Sequence, residues 1–225
     1  MKKVLGIDEA GRGPVIGPMV ICGFLIDEDK ISLLKRLGVK DSKLLSPEKR
    51  EQLEKRLKDI AEDYIIITLS AKEIDDLRER SNLNKVEIEK MQKIINLLNP
   101  DKVIIDSPER NTQKFTEKIR NGLINKNLEI VAENFADRKY LPVSAASILA
   151  KVMRDRLIED IKRKHGIEFG NGYPSNELTQ KFLKDWFKKY KTFPEFVRKS
   201  WITVENIKKD GEQRKLIHFI EEDEK

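Results

Sequence analysis

The chain has 225 residues, of which 45 are Lys or Arg and 39 are Asp or Glu, so its formal net charge is +6. Hydrophobic residues make up 39%, enough for one sizeable core, and no run reaches the roughly 20 apolar residues of a membrane span. The single cysteine, Cys22, excludes an internal disulfide, and we expect a cytoplasmic protein. The basic balance suits a polyanionic partner, because Lys and Arg displace counterions from phosphates.

Five runs rich in branched apolar residues predict β-strands. They cover residues 4–8, 18–26, 64–69, 102–105 and 128–132. The run at 102–105 is continuously apolar, which is typical of a strand buried on both faces. Three strands thus precede a region in which helices and strands alternate.

Helical patterns separate and follow these strands. The first helix begins at Pro47, behind a Ser46 cap, and runs to about Asp59; further helices are predicted over 84–98, 112–121, 144–164, 175–190 and 194–208. This order indicates a mixed α/β sheet flanked by helices, with a helical extension after it. We expect a catalytic domain over residues 1–165, a helical substrate-binding extension over 166–210 and a flexible tail over 211–225.

Four acidic residues stand where predicted strands end. Asp8 and Glu9 close the first strand, Asp106 closes the fourth, and Asp137 follows the fifth. Burying such carboxylates together is unfavourable unless cations neutralise them. Hard divalent cations prefer oxygen ligands, and a chain with one Cys and two His has few zinc ligands. We therefore expect these four residues to bind metal and to form the catalytic centre.

The geometry of a strand raises one objection to this site. Successive side chains on a strand point to opposite faces, so Asp8 and Glu9 cannot both face one ion while the strand stays straight. The following segment, Gly11-Arg12-Gly13-Pro14, breaks the strand and permits a sharp turn. Both carboxylates can then take part.

Four sequence stretches resemble the ribonuclease HII family, specifically its archaeal-like branch. They are Gly6-Ile7-Asp8-Glu9-Ala10-Gly11-Arg12-Gly13-Pro14, Asp41-Ser42-Lys43-Leu44, Ser144-Ala145-Ala146-Ser147-Ile148-Leu149-Ala150-Lys151 and Gly172-Tyr173-Pro174-Ser175. They occur in the order of the family, and the resemblance spans roughly residues 4–203.

This resemblance implies a ribonuclease H-like fold with a C-terminal helical extension. It implies an endonuclease that hydrolyses the RNA strand of RNA–DNA hybrids and incises at ribonucleotides embedded in duplex DNA, as in ribonucleotide excision repair. Catalysis would use two Mg²⁺ or Mn²⁺ ions and leave 5′-phosphate and 3′-hydroxyl ends. The acidic residues of the family fall here on Asp8, Glu9, Asp106 and Asp137.

The chain departs from the family pattern at a few positions. Phe135 stands where a lysine usually precedes the Ala-Asp of the fourth ligand, and Asn171 and Asn176 replace the usual Ser and Asp around the tyrosine motif. The proline before the serine-rich helix often lies one residue earlier than Pro142. Asp137 keeps its usual distance from Ser144, so the metal assignment holds, and the departure at Phe135 concerns substrate positioning.

Recognition of ribose requires contact with the 2′-hydroxyl, which donates and accepts hydrogen bonds. Gly11, Arg12 and Gly13 form a candidate cradle, in which the glycines allow close backbone approach and Arg12 also reaches a phosphate; the alternative is a simple tight turn. Tyr173 is a candidate to bond the hydroxyl and stack on the next sugar. The remaining predicted substrate contacts are basic and would meet phosphates: Lys43, Lys151 and Arg198.

Two other functions compete with this interpretation. An integrase-like strand-transfer enzyme would share the acids without needing the Gly-Arg-Gly and Gly-Tyr-Pro-Ser elements. A hybrid-binding module would use the carboxylates only structurally. A P-loop is excluded, because no Gly-Lys-Ser/Thr follows the glycine turn.

The tail resembles the short motif by which replication proteins dock on a sliding clamp. Gln213, Leu216 and Phe219 fit its spacing, while Ile220 replaces the second aromatic residue. One helical turn would present the apolar residues together to a pocket. The alternative is that they complete the last helix of the extension. No dimerisation signal is visible, so we expect a monomer.

Overall fold

The computed structural model describes residues 2–40 and 42–211, and its side chains except that of Lys43. Its strands are Lys3–Ala10 (β1), Met19–Asp27 (β2), Asp63–Leu69 (β3), Lys102–Asp106 (β4) and Glu129–Glu133 (β5). Every predicted strand is confirmed to within two residues at either end. None of the helices in these two ranges is long and apolar enough to cross a membrane.

The strands form one mixed sheet in the order β3-β2-β1-β4-β5. β1 pairs antiparallel with β2 and parallel with β4, and β4 pairs parallel with β5. The register places Ile7 beside Ile105, so the residues that follow them meet at one edge of the sheet. This pairing brings Asp8 and Asp106 together from positions 98 apart in sequence, and it confirms the predicted α/β class.

Helices connect and flank these strands. Their bounds are Ile31–Arg36 (α1), Pro47–Ile60 (α2), Ala71–Arg78 (α3), Leu83–Leu98 (α4), Thr112–Asn121 (α5), Leu141–His165 (α6) and Glu177–Tyr190 (α7), and residues 202–211 are also helical (α8). Local chemistry sets several of these bounds. The Ser46 hydroxyl accepts from the Lys49 amide at 3.3 Å and caps α2, whose first residue is Pro47 as predicted.

Two helices were not predicted, and two others begin three or more residues away from the expected start. Nothing in the sequence analysis pointed to α1 or α3, although Ser70 and Glu73 form a reciprocal capping box at the start of α3. α6 begins at Leu141, so Pro142 lies in its first turn, where its missing N–H costs nothing. The last helix starts at residue 202 instead of 194, because the preceding segment pairs its backbone with Ile16 and Gly17.

The chain divides into two compact units. The first contains residues 1–12, 19–69 and 81–156, and with them the whole sheet. The second contains residues 13–18, 70–80 and those from 157 on. This division differs from the predicted contiguous boundary at 165, because two short segments from the first half of the chain pack with the helical part.

The second unit has a core of its own. Val15 and Ile16 are fully buried there, together with Phe169, Leu183 and Val197. The Gly172 carbonyl accepts from the Val15 amide at 2.8 Å and fixes the short segment to the helical part. The second unit is therefore built from segments that are distant in sequence, and no local sequence pattern predicts that these segments pack together.

Candidate active site

Three aspartates converge at one edge of the sheet in the first unit. Asp8 lies on β1, Asp106 ends β4, and Asp137 lies in a 3-10 turn after β5. Each offers a carboxylate oxygen, and these three oxygens lie within 4.8 Å of one another. Asp8 and Asp137 are 5% and 1% exposed, and Asp106 is half-buried. Such a group of oxygen donors suits a hard divalent cation.

Backbone geometry fixes two of these aspartates. Phe135 has a φ of 60°, and this left-handed residue turns the chain into the 3-10 segment Ala136–Arg138. The Ala136 amide then donates to Asp106 Oδ1 at 3.0 Å. The Ser144 hydroxyl of α6 donates to the Asp137 carbonyl at 2.6 Å. The loop after β5 is thus attached both to β4 and to α6.

A close contact between β1 and α6 determines the position of α6 at this site. A Cβ added to Gly6 would lie 2.2 Å from the carbonyl carbon of Pro142, which is backbone and cannot rotate away. Glycine at this position therefore allows the first turn of α6 to contact the central strand. As a result, Ser147 of α6 lies within hydrogen-bonding distance of Asp8.

The three carboxylates strongly affect one another. Burial, followed by the charges of Asp106 and Asp137, raises the pKa of Asp8 from 3.8 to about 8, although hydrogen bonds from Ser147 and the Glu9 amide act against this rise. An ionised Asp8 is therefore unfavourable in the protein alone. A bound cation would supply the missing positive charge, so the residues present fit a metal ion.

Glu9 lies next to this group without belonging to it. Its amide donates to Asp8 Oδ1 at 2.7 Å, and its pKa is raised by burial and then by the charges of Asp8, Glu87 and Asp106. Its buried Oε2 has no hydrogen-bond partner among the described residues. The structure thus brings together three of the four predicted ligands, and metal binding by Glu9 stays a prediction.

Arg12 is engaged by α4 in this structure. Its Nε donates to both carboxylate oxygens of Glu87, at 2.8 and 3.0 Å, and its Nη2 donates to Asn84 Oδ1 at 2.5 Å. Glu87 is fully buried, so Arg12 supplies its counter-charge. Gly11 has a φ of 82°, as a tight turn requires. The predicted phosphate contact of Arg12 stays a prediction beside this structural role.

Lys151 lies in a small cationic cluster of the first unit. It forms an ion pair with Asp155, which also accepts from Arg50 Nη2 at 3.3 Å and lies 3.6 Å from Arg154 Nη1. Burial lowers the pKa of Lys151, and Asp155 opposes that change. Three basic side chains thus lie close to the Asp155 carboxylate, and such a grouping of cations suits a phosphate. The side chain of Lys43 lies outside the described residues.

Gly13 and Tyr173 contact each other within the second unit. A Cβ on Gly13 would lie 3.6 Å from the Tyr173 ring, and the indole N–H of Trp201 donates to the Gly13 carbonyl at 3.2 Å. Tyr173 is 39% exposed. Two predicted substrate residues therefore form one surface feature, although 160 positions separate them.

Arg198 requires a correction. It was expected to bind the DNA backbone, but it is 0% exposed. Its Nε donates to the Gly17 carbonyl at 2.9 Å, and its guanidinium lies 4.8 Å from the centre of the Trp201 ring. Basic residues beside a tryptophan suggested a phosphate contact, whereas the side chain fixes backbone inside the second unit.

Comparison with known proteins agrees with this geometry. A family model described as Ribonuclease HII matches residues 5–204. A ribonuclease HII from Thermococcus sibiricus is 45% identical over 224 residues, which covers 97% of this chain and 98% of the relative. The chain belongs to the ribonuclease HII family. It is accordingly a metal-dependent endoribonuclease that acts on the RNA of RNA–DNA hybrids.

Solved structures of ribonuclease HII enzymes share the fold. The ribonuclease H2 from Pyrococcus horikoshii matches with a TM-score of 0.86 and 45% identity, covering 92% of this chain and 98% of that one. The enzyme in a PCNA:RNase HII complex from Archaeoglobus fulgidus matches with a TM-score of 0.83 and 38% identity, covering 91% and 96%. The predicted family, enzyme class and ribonuclease H-like fold are therefore confirmed, and the integrase-like and non-enzymatic alternatives are set aside.

Sequence reasoning missed several residues around the ribonuclease HII site. Buried Ser147 bonds to Asp8, buried Ser42 contacts Ser147, and buried Arg50 donates to the Ser42 carbonyl. Glu87 is the buried partner of Arg12. Ser42 and Ser147 stood in two of the quoted motifs, but their separation of 105 positions gave no sign that they touch. Arg50 and Glu87 lie in predicted helices but were not singled out, because only tertiary packing buries them.

Proposed function

We propose that this ribonuclease HII also incises at single ribonucleotides embedded in duplex DNA, leaving 5′-phosphate and 3′-hydroxyl ends. The observation that carries the proposal is the group of three aspartate carboxylates within 4.8 Å of one another. A phosphodiester of any sequence context can be cut by such a centre, so the choice of substrate must come from contacts to the ribose.

Asp8, Asp106 and Asp137 would hold Mg²⁺ or Mn²⁺, with Glu9 as a further ligand. Two such ions, when bound, supply an activated water and neutralise charge on the departing 3′ oxygen. The protein contributes three fixed oxygen donors from two strands and a turn. Because Asp106 is held by the Ala136 amide and Asp8 by the Glu9 amide, these two donors are oriented before any ion binds.

Gly13 and Tyr173 are the proposed ribose-recognition element. Gly13 has no side chain, so its peptide can approach a 2′-hydroxyl closely, and the tyrosine hydroxyl can donate a second hydrogen bond. Trp201 holds the Gly13 carbonyl, which fixes the orientation of that peptide. Lys43 and Lys151 are proposed to contact phosphates, and for Lys151 the basic side chains grouped around Asp155 support that assignment.

Three matched duplexes test the proposal. They share one sequence and contain a full RNA strand, one ribonucleotide in DNA, or DNA alone. The first two should be cut in Mg²⁺ and the third should not, with products that a 5′-phosphate-dependent exonuclease accepts. Asp106→Asn serves as the inactive control, since an amide keeps the bond from Ala136 while losing the charge. Cleavage of the hybrid alone would refute incision at single ribonucleotides.

The chain tail is proposed to bind a sliding clamp. Gln213, Leu216, Phe219 and Ile220 lie outside the described residues, so support comes from the motif and from the PCNA complex of the Archaeoglobus fulgidus relative. Truncation after Asp210 should abolish binding to the clamp of the same organism, measured by surface plasmon resonance, and leave cleavage of short duplexes nearly unchanged. Loss of stability with unchanged clamp affinity would make the segment structural.

A further inference from the structure

A chain of buried hydroxyl groups reaches Asp8 from the loop before α2. Ser147 forms a side-chain hydrogen bond to the Asp8 carboxylate. Its Oγ lies 2.9 Å from Ser42 Oγ, and the two serines are 6% and 4% exposed. Each hydroxyl has a single proton. When Asp8 is ionised, Ser147 must donate to it, so Ser42 must donate to Ser147.

Arg50 fixes the outer end of this chain. Its Nη1 donates to the carbonyls of Ser42 and Leu45, at 3.1 and 2.7 Å, and its Nη2 donates to Asp155 at 3.3 Å. The side chain is 8% exposed, and its planar fork presents donors in fixed directions. One guanidinium thus attaches the 3-10 turn Ser42–Leu44 to both α2 and α6.

We infer that Ser42, Ser147 and Arg50 are positioning residues that orient the Asp8 carboxylate for its cation. The inference rests on the proposed metal site. A carboxylate on a strand can rotate about its terminal bond, and a donor on one oxygen holds it in one orientation. Outer-shell partners of metal ligands act in this way, and their loss typically lowers metal affinity roughly 10- to 100-fold.

The order of the hydrogen-bonded groups predicts how substitutions of the two serines combine. Ser147 touches the ligand directly, whereas Ser42 acts only by directing the Ser147 proton. Removing Ser147 therefore removes the contribution of Ser42 as well. The two substitutions should be non-additive, and the double variant should resemble the Ser147 variant alone.

Divalent-ion binding to the full-length protein tests the inference without substrate. Mn²⁺ affinity is measured by isothermal titration calorimetry for Ser147→Ala, Ser42→Ala and the double variant. Affinity should fall roughly 10- to 100-fold for Ser147→Ala and by about half as much on a logarithmic scale for Ser42→Ala. Ser42→Thr keeps a hydroxyl and should retain the wild-type affinity.

Ser46→Ala is the matched control. Ser46 lies in the same loop and caps α2, but it takes no part in the chain to Asp8. Its loss should lower the melting temperature and leave Mn²⁺ affinity unchanged. Arg50→Lys, which keeps the charge without the fork, should weaken Mn²⁺ binding by disturbing Ser42.

The outcomes separate the inference from the proposed function. If the wild-type protein binds no Mn²⁺, the proposed metal site itself is wrong. If it binds Mn²⁺ and both serine-to-alanine variants bind equally well, the metal site stands and the positioning chain is refuted. Additive losses in the double variant would also refute the serial arrangement. Should Ser147→Ala fail to fold, Ser42→Ala against Ser42→Thr decides the question.

Discussion

Substitution of Asp8 by asparagine tests the electrostatics of the site without any substrate. The amide has nearly the same shape, and its oxygen can still accept from the Glu9 amide. It has no charge to bury. In buffer containing EDTA, we therefore expect Asp8→Asn to be more stable than the wild type at alkaline pH, although it is inactive.

The size and sign of this effect follow from the pKa of Asp8, which is about 8 in the folded protein against 3.8 for an unperturbed group. Below pH 3.8 both states hold the proton, so stability is unaffected. As pH rises from 4 to 8, only the unfolded chain releases it, and folded stability falls by up to about 1.4 kcal/mol per unit. Between pH 5 and 8 this amounts to roughly 4 kcal/mol.

Urea unfolding at pH 5 and pH 8, with EDTA, measures the difference. The stability gain of Asp8→Asn should be about 4 kcal/mol larger at pH 8. Some pH dependence remains in the variant, because Glu9 has a raised pKa of its own. Mg²⁺ at 100 times its dissociation constant for the wild-type protein should stabilise that protein by about 3 kcal/mol. The same concentration should stabilise Asp8→Asn much less. Equal pH profiles for the two proteins would refute the reasoning.

Three further substitutions separate structural roles from substrate contacts. Arg12→Ala should lower the free energy of unfolding in urea by about 3 kcal/mol, because it removes the counter-charge of buried Glu87. Adding Glu87→Gln to this variant should restore part of the lost stability. Unchanged stability of Arg12→Ala would make Arg12 purely a substrate contact. Gly6→Ala should cost about 3 kcal/mol, because the added Cβ meets the rigid backbone of Pro142. Gly122→Ala meets only the flexible end of the Gln92 side chain and should cost less, and equal costs would contradict the close approach. Tyr173→Phe keeps the aromatic ring against Gly13 and removes only the hydroxyl. In single-turnover kinetics it should slow incision at one ribonucleotide about 3- to 10-fold, with unchanged affinity for DNA. An equal loss of DNA affinity would make the tyrosine a general contact.

The sequence determines the strands and the aspartates well, because both follow from local chemistry. A continuously apolar run such as 102–105 fits a central strand, and a charged residue directly after it must lie at the sheet edge. Parallel pairing of β1 and β4 then brings Asp8 to Asp106. That pairing is itself remote in sequence and was not predicted, so the sequence placed each aspartate at a strand end but did not show which strands are neighbours.

What could not be predicted depends on packing between distant segments. Arg198 looks like a contact to the DNA backbone, yet it is buried in the second unit, where its guanidinium donates to the Gly17 carbonyl. Arg12 looks like a phosphate contact, yet Glu87 on α4 engages it. In both cases an arginine side chain bonds to a group within the fold, and the local sequence does not indicate which group that is.

Phe135 shows how a departure from the family pattern can leave a metal ligand in place. Its side chain is 58% exposed, and the Arg138 guanidinium lies 4.8 Å from its ring centre. The position of Asp137 depends on backbone features instead, namely the left-handed turn at Phe135 and the bond from the Ala136 amide to Asp106. A lysine in the same backbone conformation would leave both features unchanged. The exchange therefore alters the charge beside the site, where a substrate phosphate would be affected, and leaves the geometry of the three aspartates intact.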